Sequence, residues 1–168
     1  MKHILPILTL TTLAAAASAQ AAAPAAAGLN YNRVGLGYNT DTKGYTVSAT
    51  AVLGSSNFWV GASSSIGGND TANGTDSVAI GYLFANVYAG IDATVSVASN
   101  ETYGLGLRKA LGVYNLEAAA SFGRNSAGNN TWGAELAYNV SKQIQVAVGF
   151  SDEQGNNSTS DLTVRYNF

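Results

Sequence analysis

The chain has 168 residues and a formal net charge of −2, enough length for one domain with a sizeable buried area and no charge excess to attract nucleic acid. Charged residues are only 11%, against a usual figure of about 25%. Gly is abundant at 19, Pro scarce at 2 and Cys absent, so disulfides and thiolate chemistry are excluded.

Met1 to Ala19 opens with Lys2 and His3, continues apolar from Ile4 to Ala17, and ends on the small residues Ala17-Ser18-Ala19. This is the layout of a secretory signal peptide. The apolar stretch is short of the ~20 residues that a spanning helix needs. Gln20 to Gly28 is Ala-rich around Pro24 and reads as a flexible leader.

From Leu29 to Phe168 the pattern is alternation with no helical period, which predicts an all-β domain. Ten strands are expected: Tyr31–Tyr38, Gly44–Leu53, Asn57–Ile66, Asp76–Leu83, Val87–Val97, Thr102–Leu111, Val113–Phe122, Thr131–Val140, Ile144–Ser151 and Ser158–Phe168. Eight is the alternative count, because the turn at Leu111-Gly112 carries little signal. Short connections at Gly54–Ser56, Phe84–Asn86, Leu111-Gly112 and Ser141–Gln143 alternate with polar loops, among them Gly67–Thr75, Gly123–Asn130 and Asp152–Asn157. Short turns at one end and longer loops at the other are how outer-membrane barrels are built. An even strand number puts both termini at the short-turn end.

Side chains alternate between the two faces of a strand, so each strand can be split by parity. One parity collects Val, Leu, Ile, Ala and aromatics, as in Leu162, Val164, Tyr166 and Phe168 of the last strand. Of the 16 aromatic residues, 13 fall on it, near strand ends. Tyr38, Tyr45, Tyr103, Phe122, Trp132 and Phe150 form one ring, on the long-loop side. Phe58, Tyr82, Phe84, Tyr114, Tyr138, Tyr166 and Phe168 form the other. Aromatic girdles of this kind suit a water–lipid boundary. Tyr31, Trp59 and Tyr88 are the exceptions, with Trp59 and Tyr88 expected to fill part of the lower lumen.

The opposite parity is small and polar, and it carries seven charges: Arg33, Asp92, Arg108, Glu117, Glu135, Asp161 and Arg165. Lipid disfavours an outward Arg or Lys at mid-membrane by ~2–4 kcal/mol, so these charges are expected to line a lumen. Three Arg and four carboxylates nearly balance, which favours ion pairs holding strands in register over an ion path. Ten strands with few bulky fillers would still leave room for water.

The signal-like start, the strand–turn–strand run and the ending Val164-Arg165-Tyr166-Asn167-Phe168 resemble the small single-domain outer-membrane β-barrels around the OmpA membrane domain and OmpX. The resemblance implies an antiparallel up-and-down transmembrane β-barrel in the outer membrane of a Gram-negative-type bacterium, with both termini periplasmic. It further implies that the barrel-assembly machinery reads Tyr166 and Phe168. Those relatives have eight strands, which is where this chain departs from them.

Catalysis is not expected. After Ala19 the chain has no His and no Cys, which excludes Ser–His–Asp, Cys–His and His-based metal sites, and no metal or cofactor is implied. Glu117 and Glu135 could act as acid and base only if Arg108 and Arg165 did not pair with them. The Asn69–Asp76 loop misses the spacing of a calcium loop and reads as turn chemistry. The expected partners are outer-membrane lipid, the assembly machinery and a surface ligand held by the loops. A structural or surface-interaction role comes first, a narrow porin-like pore second, and a secreted soluble lipocalin-type barrel with an apolar ligand third.

Overall fold

The computed structural model describes residues 29–67, 75–155 and 158–168. The signal-peptide and leader readings on residues 1–28, and the centres of two polar loops, including the calcium-loop comparison, lie outside the described residues.

Ten strands follow one another: β1 (Arg33–Asn39), β2 (Tyr45–Val52), β3 (Phe58–Ile66), β4 (Asp76–Tyr88), β5 (Ile91–Ala98), β6 (Tyr103–Ala110), β7 (Leu116–Arg124), β8 (Asn130–Asn139), β9 (Ile144–Glu153) and β10 (Thr159–Asn167). Each pairs antiparallel with its chain neighbour, and β1 pairs with β10, so the sheet closes into an up-and-down barrel. Closure leaves no free edge, which is the condition for crossing hydrocarbon with strands.

The register keeps one parity on one face all the way round. Leu36 lies opposite Val47 on β2 and Val164 on β10, and Val164 lies opposite Val146 on β9. Gly35 lies opposite Ser48 and Arg165 on the other face, and Arg165 lies opposite Gln145. The apolar face is the outside: Leu36, Val148 and Val164 are 53%, 55% and 48% exposed. The inside is polar, with Asp92 and Glu117 buried. This is the reverse of a soluble lipocalin-type barrel, which needs the apolar parity within, so that alternative is dropped.

Several boundaries differ from the sequence reading. The connection expected at Phe84–Asn86 lies instead at residues 89–90, where Ala89 and Gly90 both take positive φ (48° and 78°), as a tight two-residue hairpin requires. Asn86, also at positive φ, marks the register shift between Phe84 and Tyr88 that lets β4 run on. Tyr88 therefore rides on an exposed hairpin opposite Ile91, 77% exposed, and fills no part of the lumen. The Leu111-Gly112 turn widens to residues 111–115, which puts Tyr114 in the turn, with φ 52°, and not in a strand.

At the other end β7 and β9 extend to Arg124 and Glu153, because the ladder pairs Arg124 with Asn130 and Thr131 with Glu153. Residues read as loop thus join the sheet. The length contrast between the two ends shrinks accordingly: apart from residues 67–75, every connection at either end has two to five residues. The turns 53–57, 89–90, 111–115 and 140–143 share an end with both termini of the barrel, called here the terminal end.

Inside the terminal end sits a small apolar plug. Leu29, Tyr31, Val52 and Leu83 are buried together, with Trp59 and Ala110 packed against them. The segment ahead of β1 is fixed there by its asparagines. Asn32 Oδ1 accepts the Val52 backbone N–H at 2.8 Å, and Asn30 Oδ1 accepts that of Asn32 at 2.7 Å. The Trp59 ring lies across the strand pair over Gly81. A Cβ at Gly81 would meet Trp59 Cε2 at 2.5 Å and also crowd the Val95 carbonyl oxygen. Gly81→Ala is therefore expected to expel the indole and destabilise the barrel by about 1–3 kcal/mol. Urea unfolding in lipid vesicles, followed by tryptophan fluorescence, checks it.

Candidate functional site: a charged layer in the lumen

Six of the seven inward charges belong to the half of the barrel nearer the termini. Arg33 opens β1, Asp92 and Glu117 lie in the first two positions of β5 and β7, and Arg108, Glu135 and Arg165 lie in the later halves of β6, β8 and β10. Antiparallel pairing brings these strand starts and strand ends to a common level. Asp161, on the early part of β10, stands closer to the loop end.

Arg108 Nη2 donates to Glu117 Oε2 at 2.6 Å, with side chains 10% and 6% exposed. Its Nη1 donates to the Asn30 carbonyl at 2.9 Å, and its guanidinium carbon stands 4.6 Å from the centre of the Tyr31 ring. The Tyr31 hydroxyl donates to Asp92 Oδ2 at 3.1 Å, and Asp92 Oδ1 accepts the Asn86 backbone N–H at 2.8 Å. Arg165 grips Glu135 with both terminal nitrogens: Nη1 donates to Oε1 at 2.7 Å and Nη2 donates to Oε2. A fork of this kind is among the stronger charge-assisted contacts.

Two amides join the ion pairs. Gln145 Oε1 accepts from Arg165 Nη1 at 3.0 Å, and Gln145 Nε2 donates to Asn139 Oδ1 at 2.9 Å. Asn139 Nδ2 then donates to Glu117 Oε1 at 2.9 Å. One chain of contacts therefore runs Glu135, Arg165, Gln145, Asn139, Glu117, Arg108 and Asn30, across β8, β10, β9, β7 and β6 to the segment before β1. A buried network with its members paired holds its strands rigidly, and low dielectric strengthens each link.

Arg33 and Asp161 stand outside this network. Among the described residues Arg33 enters no ion pair, and its buried Nη1 has no hydrogen-bond partner. Asp161 Oδ2 accepts from Thr163 Oγ1 at 3.0 Å.

The lumen is not solid. A cavity of about 320 Å³ reaches from Tyr31, Arg33 and Arg108 up past Trp59 and Glu135 to Asp161. A second, of about 260 Å³, continues towards the loops beside Trp59, Gly123 and Thr131. A third, of about 420 Å³, opens at the terminal end between Asn30, Glu117, Asn139, Lys142 and Asn167. Arg108 lines the upper space and Glu117 the lower, so their ion pair stands between the two. Gly106 lines the upper space, and a Cβ there would lie 2.6 Å from Thr94 Oγ1, so glycine here makes room for the Thr94 side chain.

The aromatic residues face outward in two sets. Tyr38 stacks with Tyr45 (5.1 Å between centres) and Trp132 with Phe150 (5.3 Å) near the loop end, where Tyr103 and Phe122 are also exposed. Near the termini Tyr82 contacts both Phe58 and Phe84, at 5.1 and 4.8 Å, and Tyr138 and Tyr166 are exposed elsewhere around the same end. Tyr114 projects from its turn, 85% exposed. Tyr166 lies opposite Val34 and Ile144, and the Phe168 backbone N–H donates to the Asn32 carbonyl at 3.1 Å.

The sequence reading missed Gln145, Asn139 and Tyr31 as site residues. Gln145 and Asn139 share the inward parity with the seven charges, which was the available signal. Tyr31 also shares that parity in the expected strand Tyr31–Tyr38, although β1 itself starts at Arg33. Among the described residues no group of three or more His, Cys, Asp or Glu side chains is placed to hold a metal.

No protein-family model and no curated protein sequence matches this chain. Solved structures do. The KdgM porin aligns with a TM-score of 0.52 at 12% identity, covering 81% of this chain and 99% of its own. A KdgM porin in complex with disordered oligogalacturonate aligns with a TM-score of 0.53 at 11% identity, with the same coverage. At that identity the likeness establishes the fold alone: a closed antiparallel β-barrel of the kind seen in the KdgM porin.

Removing Glu117 would leave Arg108 and Asn139 without their acceptor in a layer that excludes most water. Glu117→Ala is expected to cost roughly 3 kcal/mol, the low end for a broken buried pair, because the lower cavity admits some water. Asp161→Asn, which breaks no ion pair, is expected to stay within about 1 kcal/mol of the parent. Parallel urea titrations of the two variants in vesicles check the contrast.

Proposed function

We propose that this protein is an integral outer-membrane barrel that forms a narrow pore for small hydrophilic solutes, with its constriction at the Arg108–Glu117 layer. The observation that carries this reading is the pair of cavities on opposite sides of a single ion pair. A wall without a passage would gain from a filled interior, since interiors pack to high density. Here Gly35, Gly37, Gly61, Gly104, Gly106 and Gly133 occupy inward positions, and cavities of about 320 and 420 Å³ remain inside the wall.

In this reading the terminal end faces the periplasm and the five loops face outside. Lipid covers the Leu, Val and Ile face, and the two aromatic sets lie at the water–lipid boundaries. Tyr166 and Phe168, at the end of the closing strand, are the residues offered to the assembly machinery. The fold shared with the KdgM porin supports the pore over a purely structural or surface-interaction role. No catalytic step belongs to this reading.

Planar-bilayer recording tests it. The parent is expected to give small, ohmic single-channel steps. Replacing both partners, Arg108→Ser with Glu117→Ser, removes the constriction without leaving a lone buried charge, and is expected to raise the step size at least about twofold. No conductance above background in either protein would overturn the pore.

A further inference from the structure

Two buried donors in the lumen lack acceptors, and they line the same space. Arg33 Nη1 and Trp59 Nε1 have no hydrogen-bond partner among the described residues, and both residues border the cavity of about 320 Å³. A buried, unpaired donor is costly, and an unpaired guanidinium more so. Two such groups at one cavity mark a place where an acceptor from outside the chain would be favourable.

The register explains why they converge. Arg33 lies opposite Thr50 on β2, and Thr50 lies opposite Gly61 on β3, two residues from Trp59 along that strand. Gly61 and Gly81 give the indole its bed: Cβ atoms there would stand 3.1 Å and 2.5 Å from its ring. Thr50 is not a third donor, because its Oγ1 already donates to the Tyr31 carbonyl at 2.8 Å.

We infer that Arg33 and Trp59 form a binding site for a small organic carboxylate, one that pauses in the lumen above the constriction. The site rests on the pore reading for its access route, since the cavity is approached from the loop end. The charges around it favour an anion at this point. Arg108 and Arg165 are each held by a carboxylate, Glu117 and Glu135 respectively, which leaves Arg33 as the cation without an ion-pair partner among the described residues. Asp161 also borders the cavity and would repel an anion, so the carboxylate is held at the Arg33 side. A carboxylate fits the donor set better than a bare halide. It offers separate oxygens to a guanidinium nitrogen and an indole N–H, and its carbon body meets the Trp59 ring. Arg33 then has a role that the ion-paired network leaves open: it is a ligand for solute and not a strand clamp.

The test uses the full barrel refolded in detergent and carrying Trp132→Phe. The chain has two Trp residues, so Trp59 becomes the sole indole reporter. Lactate is titrated against its neutral counterpart lactamide and against chloride at equal ionic strength. The expected result is a saturable change in Trp59 fluorescence with lactate alone. Arg33→Gln should weaken lactate binding about tenfold or more, and Arg33→Lys should restore part of it. Arg33→Gln should also unfold at the same urea concentration as its parent or higher, because it removes an unpaired charge.

An equal response to lactamide or chloride would overturn the proposal, as would lactate binding unchanged by Arg33→Gln. A marked loss of stability in Arg33→Gln would overturn it too, by showing that Arg33 is a structural clamp. Binding in detergent requires no conduction. Lactate binding without bilayer conductance would therefore remove the pore and leave the site, and conductance without lactate binding would do the reverse.

Discussion

Every feature of this barrel follows from a two-residue side-chain period imposed on a closed antiparallel ladder. Closure pairs the edge of β1 with that of β10, so no strand is left to solvent or to another chain. Once the ring is closed, a single register sets the facing of every strand. Leu36, Val47, Val146 and Val164 cannot face outward unless Gly35, Ser48, Gln145 and Arg165 face inward. A slip of one residue in β8 or β10 would turn Glu135, or Asp161 and Arg165, towards the outer face, where a charge at mid-membrane is disfavoured. The sorting of side chains and the register enforce each other.

That constraint decides what the lumen can hold. Charges excluded from the outer face collect inside, where they must find partners or water. The chain uses both solutions. Near the termini it ties Glu135, Arg165, Gln145, Asn139, Glu117 and Arg108 into one connected layer. Towards the loops it lines the wall with Gly, Ser and Thr and leaves space. The apolar plug of Leu29, Tyr31, Val52 and Leu83 fills one side of the terminal end, and the cavity lined by Glu117 and Asn139 remains open there. A lumen with an ionic waist is the natural product of these two halves.

Much of this was legible in the residues alone, because alternation is the strongest signal a strand carries. The strand count, the outward face and the inward parity of the seven charges all follow from counting by two. What escaped was wherever the count breaks. The register shift at Asn86, which takes positive φ, adds two residues to β4 and sends Tyr88 to an exposed hairpin. Tyr114 and Asn115, also at positive φ, are neither Gly nor flanked by Pro, so the wider turn at 111–115 left little mark. Arg124 and Glu153 looked like loop residues because they are charged and Asn-flanked, yet ladder pairs hold both. The partners of the lumen charges were legible only as parity. Which Arg meets which Glu depends on strand stagger, and stagger is set by turn lengths.

The decisive measurement concerns facing. The chain has no Cys, so single cysteines can be placed one at a time along β10, from residue 161 to residue 166, and spin-labelled in lipid vesicles. Labels at 162, 164 and 166 should relax with dissolved oxygen, which partitions into lipid. Labels at 161, 163 and 165 should relax with a water-soluble nickel complex. Loss of the alternation, or its reversal with 163 and 165 in lipid, would contradict the barrel wall as described.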